Sequence, residues 1–183
     1  MNATNTPAAL LSTQVALVTG ARGGIGREVT ARLRESGHRV AAVGRDAATL
    51  SEVQVDAHIV ADTTTPEGAA AAVDACKEQL GGVSALLAHC VGSTLIAPLH
   101  RTSAVQYREV LRVNLDSAVF MLKAWVEALR AAGLPGAAVL ASSVVSRIGV
   151  ANHEAIAAAK GGIEALARPT RPLACASTWW RPA

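Results

Sequence analysis

Short apolar runs alternate along this chain with longer stretches in which Ala, Leu, Glu and Arg recur at helical spacing. Strand-like runs fall at residues 15–18, 39–43, 57–60, 83–88 and 137–141. Such alternation predicts a βαβ series, and hence an α/β fold with a parallel, doubly wound sheet. Pro66-Glu67, preceded by threonine, reads as a helix start. Asn152 reads as the cap of the helix that carries Lys160, with Glu154 in its first turn complementing the helix dipole. Residues 1–13 look like a flexible lead-in, residues 14–167 form one domain, and the pattern breaks down over residues 168–183.

Composition narrows the picture. The chain has 183 residues and is 51% hydrophobic, enough for one good core. Aromatics are only 3%, so the core must be built from Ala, Val, Leu and Ile, as in sheets covered on both faces. The formal charge is +3, but the cations are scattered and few aromatics are present for bases to stack on. Solvated faces therefore explain the charge better than a nucleic-acid surface. The apolar runs are strand-length rather than membrane-length. Cys76, Cys90 and Cys175 form no CxxC pair, and no basic region precedes an apolar segment at the N-terminus. A cytoplasmic protein with reduced thiols and no metal site is expected.

The segment Thr19-Gly-Ala-Arg-Gly-Gly-Ile-Gly26 sits between the first strand and an amphipathic stretch beginning at Arg27. Gly20, Gly24 and Gly26 let the chain double back and aim free backbone N–H groups at a phosphate. Taken alone, the glycines fit a plain strand-to-helix turn equally well. No Lys-Ser or Lys-Thr follows the last glycine, which disfavours a nucleoside-triphosphate loop. The Gly-x-x-x-Gly-x-Gly spacing after a threonine resembles the short-chain dehydrogenase/reductase family, and with it Arg22 and Ile25 join the expected dinucleotide-binding set. At the end of the second strand an acidic side chain would bond a ribose 2′-hydroxyl and repel a 2′-phosphate; here Gly44 runs into Arg45-Asp46. Arg45 favours NADP, Asp46 keeps NAD open, and a solvated turn arginine is the plain alternative. Asp62, after the third strand, matches the family residue that contacts adenine, or is a simple turn aspartate.

The resemblance extends from Gln14 to Leu166 and implies a Rossmann-like sheet, here truncated after about five strands. Where the family has Asn-Asn-Ala-Gly after the fourth strand, this chain has His89-Cys90-Val91-Gly92 and keeps only the glycine. Asn114 falls where the family holds a proton-relay water, and Ser143 where it orients a substrate carbonyl. Lys160 matches the catalytic lysine, which also bonds the nicotinamide ribose. The tyrosine expected four residues earlier is Ile156, which has no proton to give. Tyr107 lies in an earlier helix. His153, on the same helical face as Ile156 and Lys160, is either a substitute acid or a polar residue at the helix start. His89 and Cys90 read as packed rather than catalytic.

After Leu166 come three prolines and two adjacent tryptophans. Reading the codons shifted by one base turns Trp179 into valine and Trp180 into alanine. It allows Arg-Ile-His-Val-Val-Ala-Pro-Gly over residues 175–182, which is similar to the family's sixth strand. A frame-shifted tail is therefore expected, a genuine atypical tail being the alternative. With the tail lost, the fifth strand becomes an exposed edge. The resemblance implies an NADP-dependent oxidoreductase acting on a small-molecule carbonyl or alcohol, impaired in this chain, with full-length relatives that are homo-oligomers. The competing readings are a non-catalytic nucleotide-binding or interaction protein, and a truncated product without function.

Overall fold

The computed structural model describes residues 14–168. The expected lead-in at 1–13 lies outside the described residues, as do residues 169–183 and with them the frame-shift reading. The elements run β1 (Val15–Thr19), α1 (Gly24–Glu35), β2 (Arg39–Gly44), α2 (Ala47–Leu50), β3 (Ala57–Val60), α3 (Pro66–Leu80) and β4 (Leu86–His89). A 3-10 turn (Leu99–Arg101), α4 (Ala104–Leu111), a π-helical turn (Arg112–Asp116), α5 (Ser117–Ala132), β5 (Ala137–Leu140), α6 (Val145–Ile148) and α7 (Glu154–Ala167) complete them. All strand pairs are parallel, in the order β3-β2-β1-β4-β5. The connections therefore wind one way from β1 and the other way from β4, which opens a crevice at the carboxyl ends of those two strands.

Alternate residues of each strand face opposite layers. Leu17, Val43, Ile59, Leu87 and Leu140 pack with buried residues of α3, α5 and α7, while Ala16, Val18, Val40 and Ala42 pack with Leu50, Val29 and Leu33 of α1 and α2. The first layer is knit by alanines on α3 that admit the large side chains of α5. Trp125 is buried there, its Nε1 donating to the Ser84 carbonyl at 2.7 Å. Thr65 caps α3 by accepting from Gly68 N, with Pro66 in the first turn, as its sequence predicts.

Two local expectations are corrected. The fourth strand begins at Leu86 rather than at residue 83, because ladder bonding on β1 and β5 starts only at Ala85. Asn152 does not cap α7: it takes a left-handed conformation at φ 66°, and His153 holds the cap position without a side-chain bond. Asparagine tolerates that conformation, and a tight turn rather than a cap is what it supplies. β5 is the edge of the described sheet, and Val139 is 40% exposed. Among the described residues no helix is long and apolar enough to cross a membrane, and no group of three His, Cys, Asp or Glu side chains could hold a metal.

Because Trp125 fills the centre of one layer and satisfies a buried carbonyl, Trp125→Ala is expected to cost about 3–5 kcal/mol. Urea unfolding should show the loss as a lower midpoint with an unchanged slope.

Candidate cofactor site

The turn after β1 is shaped by the absence of β-carbons. Gly20 has φ +67°, and a Cβ there would lie 2.8 Å from the backbone of Cys90 and Val91. At Gly26 a Cβ would run into the Gly20 carbonyl. Gly24 meets no such obstacle, and its missing side chain leaves open space in front of the helix. Asp46, Thr65 and Ser103 cap the helices they precede, whereas α1 has Gly23 at its cap position, with no side-chain cap and no acidic residue in its first turn. Its first-turn N–H groups, those of Gly24, Ile25 and Gly26, are left to an external acceptor.

Beside this turn lies a cavity of about 1100 Å³ whose lining includes Gly20, Arg22, Arg45, Asp62 and Gly92. Gly24, Ile25 and Gly26 belong to the adjoining helix start. Arg27 is engaged, donating to the Arg22 carbonyl at 3.0 Å and to Glu52 at 3.0 Å. Among the described residues, the exposed guanidinium groups of Arg22 and Arg45 carry no hydrogen bond or contact ion pair. Asp46 Oδ1 accepts from the backbone N–H of Ala48 at 2.9 Å and from that of Thr49.

Deeper in, Asn114 and Lys160 meet around Gly92, where a Cβ would stand 3.1 Å from Asn114 Oδ1 and 3.4 Å from Lys160 Nζ. This contact accounts for the one glycine kept in the segment after β4. The π-helical turn carries Asn114 inward, where it accepts from Ser93 N at 3.1 Å and donates to Ser93 Oγ and to the Val110 carbonyl. Lys160 Nζ donates to the Ala141 carbonyl at 2.8 Å, and burial lowers its pKa to about 8. Ser143 follows β5, its Oγ accepting from Val145 N at 3.4 Å. Its neighbours Ser142, Ser146 and Arg147 all donate to Glu164 of α7. Burial works against that carboxylate, but the three donors outweigh it and hold its pKa below the usual value.

His89 is fully buried at the end of β4. Ser117 donates its hydroxyl to the Val113 carbonyl at 2.6 Å, so its oxygen accepts from His89 Nε2 at 3.1 Å. The other ring nitrogen then accepts from Thr19 Oγ1 at 2.8 Å. The ring is thus neutral with its proton on Nε2. Burial, with a smaller push from the Lys160 charge, lowers its pKa to about 3.

Ile156 is 5% exposed and packs in an apolar cluster with Val110, Ala155 and Ala159, joined by Leu95 and Val145. His153 sets its Nδ1 2.9 Å from the Ala151 carbonyl, turned onto its own loop. That bond gives no support to a substitute acid. Tyr107 sits part-exposed on α4. Sequence reasoning missed Thr64, Ser93 and Glu109 of the cavity wall, which no local spacing marks.

The short chain dehydrogenase pattern matches residues 14–173. The chain belongs to that family. A (3R)-3-hydroxyacyl-CoA dehydrogenase of Canis lupus familiaris is 32% identical over 168 residues, covering 84% of this chain and 65% of the relative. An L-xylulose reductase of Bos taurus is also 32% identical, covering 84% of this chain and 62% of the relative. The crystal structure of a short chain dehydrogenase from Mycobacterium smegmatis superposes with a TM-score of 0.84 at 26% identity, covering 88% of this chain and 70% of that one. The chain thus spans a little under two thirds of the length of those two relatives. Membership implies a site for NAD(P).

The His89 ring makes a pH signature. Its folded pKa lies below that of an unfolded histidine, about 6.5, so between that value and about 3 the unfolded chain binds the extra proton. Stability should therefore rise with pH across that window, by up to ~1.4 kcal/mol per pH unit from this group. Urea titrations from pH 4 to pH 7 on wild type and His89→Gln should differ by that slope; identical slopes would remove the ring from the balance.

Proposed function

We propose that this chain binds NADP(H) in the cavity beside the glycine turn and that its chemistry is hydride transfer to a carbonyl or from an alcohol. The observation that carries the cofactor choice is the pair of guanidinium groups without a hydrogen bond, Arg22 and Arg45, beside an Asp46 whose Oδ1 caps α2. A 2′-phosphate would find two cations there to pair with, against the one carboxylate of Asp46. The uncapped start of α1 fits a pyrophosphate, with Gly20, Gly24, Ile25 and Gly26 giving backbone and space. Asp62 takes the adenosine end, and Gly92 leaves room for the cofactor beside Asn114 and Lys160. The region 14–167 acts as the dinucleotide-binding unit.

The bound nicotinamide supplies or accepts the hydride. Ser143 orients the substrate oxygen, held in place by the bonds its neighbours make to Glu164. Lys160, already anchored to the Ala141 carbonyl, bonds a ribose hydroxyl and keeps positive charge near the reacting centre. Asn114 holds the proton-relay end. The proton donor is what this reading lacks, because Ile156 puts hydrocarbon at its position, so turnover is impaired. Ile156 also favours the competing reading of a non-catalytic nucleotide-binding protein, against which stand the family match and the retained Ser143, Asn114 and Lys160. The substrate is a small molecule, and the free thiols of Cys76 and Cys90 fit a reducing cytoplasm.

Calorimetric titration is expected to show NADPH binding more tightly than NADH, and Arg45→Ala to weaken NADPH about tenfold while sparing NADH. The 2′,5′-ADP fragment should bind nearly as well as the whole cofactor. Equal affinities for the two cofactors in wild type would take Arg45 out of its role.

Ile156→Tyr should raise NADPH oxidation over a panel of carbonyl compounds, at a stability cost of about 1–3 kcal/mol because the ring enters a filled apolar cluster. A variant that folds and binds cofactor yet gains no turnover would favour the non-catalytic reading.

A further inference from the structure

From Asp62 a polar chain runs along the cavity wall through Thr64, Arg112 and Glu109, none of which the reading above uses. Thr64 donates its hydroxyl to Asp62 Oδ1 at 2.7 Å and its backbone N–H to the same oxygen at 3.0 Å. The Thr64 hydroxyl oxygen in turn accepts from Arg112 Nη1, at the head of the π-helical turn. The rest of that guanidinium is gripped by Glu109, with Nε on Oε2 at 2.7 Å and Nη2 on Oε1 at 2.8 Å. Each member thereby commits the next. Both Glu109 oxygens are taken, Asp62 Oδ1 is taken twice, and Asp62 Oδ2 makes no hydrogen bond, its nearest cation being Arg112 Nη1 at 3.8 Å. Asp62, Thr64 and Glu109 line the cavity together with the apolar side chains of Ala61, Val110 and Val113. A flat base would find hydrocarbon to lie on and the free Oδ2 of Asp62 at its edge.

We propose that Arg112 is a positioning residue that sets the base selectivity of this cavity: by holding Thr64 it commits Asp62 Oδ1 and leaves Oδ2 to accept from an exocyclic amino group, selecting a 6-aminopurine over a 6-oxopurine nucleotide. A 6-oxo base sets a carbonyl against a carboxylate, two acceptors with no proton between them, and a site built to take a proton rejects a partner that has none. Without Arg112 the Thr64 hydroxyl is free to rotate, Glu109 regains two open oxygens, and the edge no longer offers one defined acceptor. Arg112 touches no ligand itself. The inference rests on the cofactor-site reading above.

The test is calorimetric titration of the 183-residue chain with NADPH and with its hypoxanthine analogue, which differ only at the base. Wild type is expected to prefer NADPH by about tenfold, the scale of one hydrogen bond to a charged group. Arg112→Leu and, as an isosteric check that leaves the Arg112–Glu109 pair intact, Thr64→Val should each bring the ratio to within about twofold by weakening NADPH and sparing the analogue. Arg112→Lys should restore part of the preference. A merely structural role would weaken both ligands together and leave the ratio unchanged, which would overturn the proposal. So would a wild type indifferent to the base. Should Arg112→Leu not fold, Thr64→Val decides. If neither ligand binds wild type, the cofactor-site reading fails and the inference goes with it.

Discussion

The close run-out of β1 and β4 at the carboxyl edge of the sheet is the constraint on which the rest depends. Gly20 lies against the backbone of Cys90 and Val91 with no room for a β-carbon, so the chain leaving β1 must turn away at once and start α1 in front of the crevice. The same approach brings Thr19 onto the ring of His89, and His89 onto Ser117. A buried polar bridge thus joins the two central strands to the first turn of α5. In a core built mainly of small aliphatic side chains, shape alone specifies little, and hydrogen bonds with fixed donors and acceptors supply the register. Removing one partner would leave the others buried and unsatisfied.

From that edge the polar ties spread in two directions. On one side Arg112 links the π-helical turn to the end of β3 through Thr64. On the other, Glu164 gathers Ser142, Ser146 and Arg147 and so fastens the loop after β5 to α7. Between them Lys160 is held by the Ala141 carbonyl and Asn114 by Ser93 and Val110. The side chains of the candidate site are therefore oriented by groups that their own elements do not supply. The exposed ion pairs, such as Arg32 with Glu28, contribute little by comparison.

The strands were legible because buried parallel strands are continuous apolar runs, and the glycine turn because its requirement is local. Gly92 could be recognised but not explained until Asn114 and Lys160 were seen to crowd it. Asn152 misled because the residue types that cap helices also tolerate left-handed turns, and only the backbone angle separates the two. The Arg112 chain was out of reach: its members lie 48 positions apart, and the turn that aims the guanidinium is π-helical in a stretch whose residues suit an ordinary helix. His89 gave a half-signal. Its place in a strand end marked it as packed, but its two partners come from β1 and α5.

The hydrocarbon packed around Ile156 has a consequence for ancestry. Isoleucine and tyrosine codons differ at both of their first two bases, so no single base change returns a phenol to this position. One intermediate is asparagine, which would bury an amide among Val110, Ala155 and Ala159 with nothing there to bond it. The other is phenylalanine, which must push the same close-packed methyl groups apart. With Leu95 and Val145 also packed against the position, each single-base route from isoleucine to tyrosine crosses a step that lowers stability. The packing thus works as a ratchet: with neighbouring side chains closed over Ile156, drift is held on the isoleucine side.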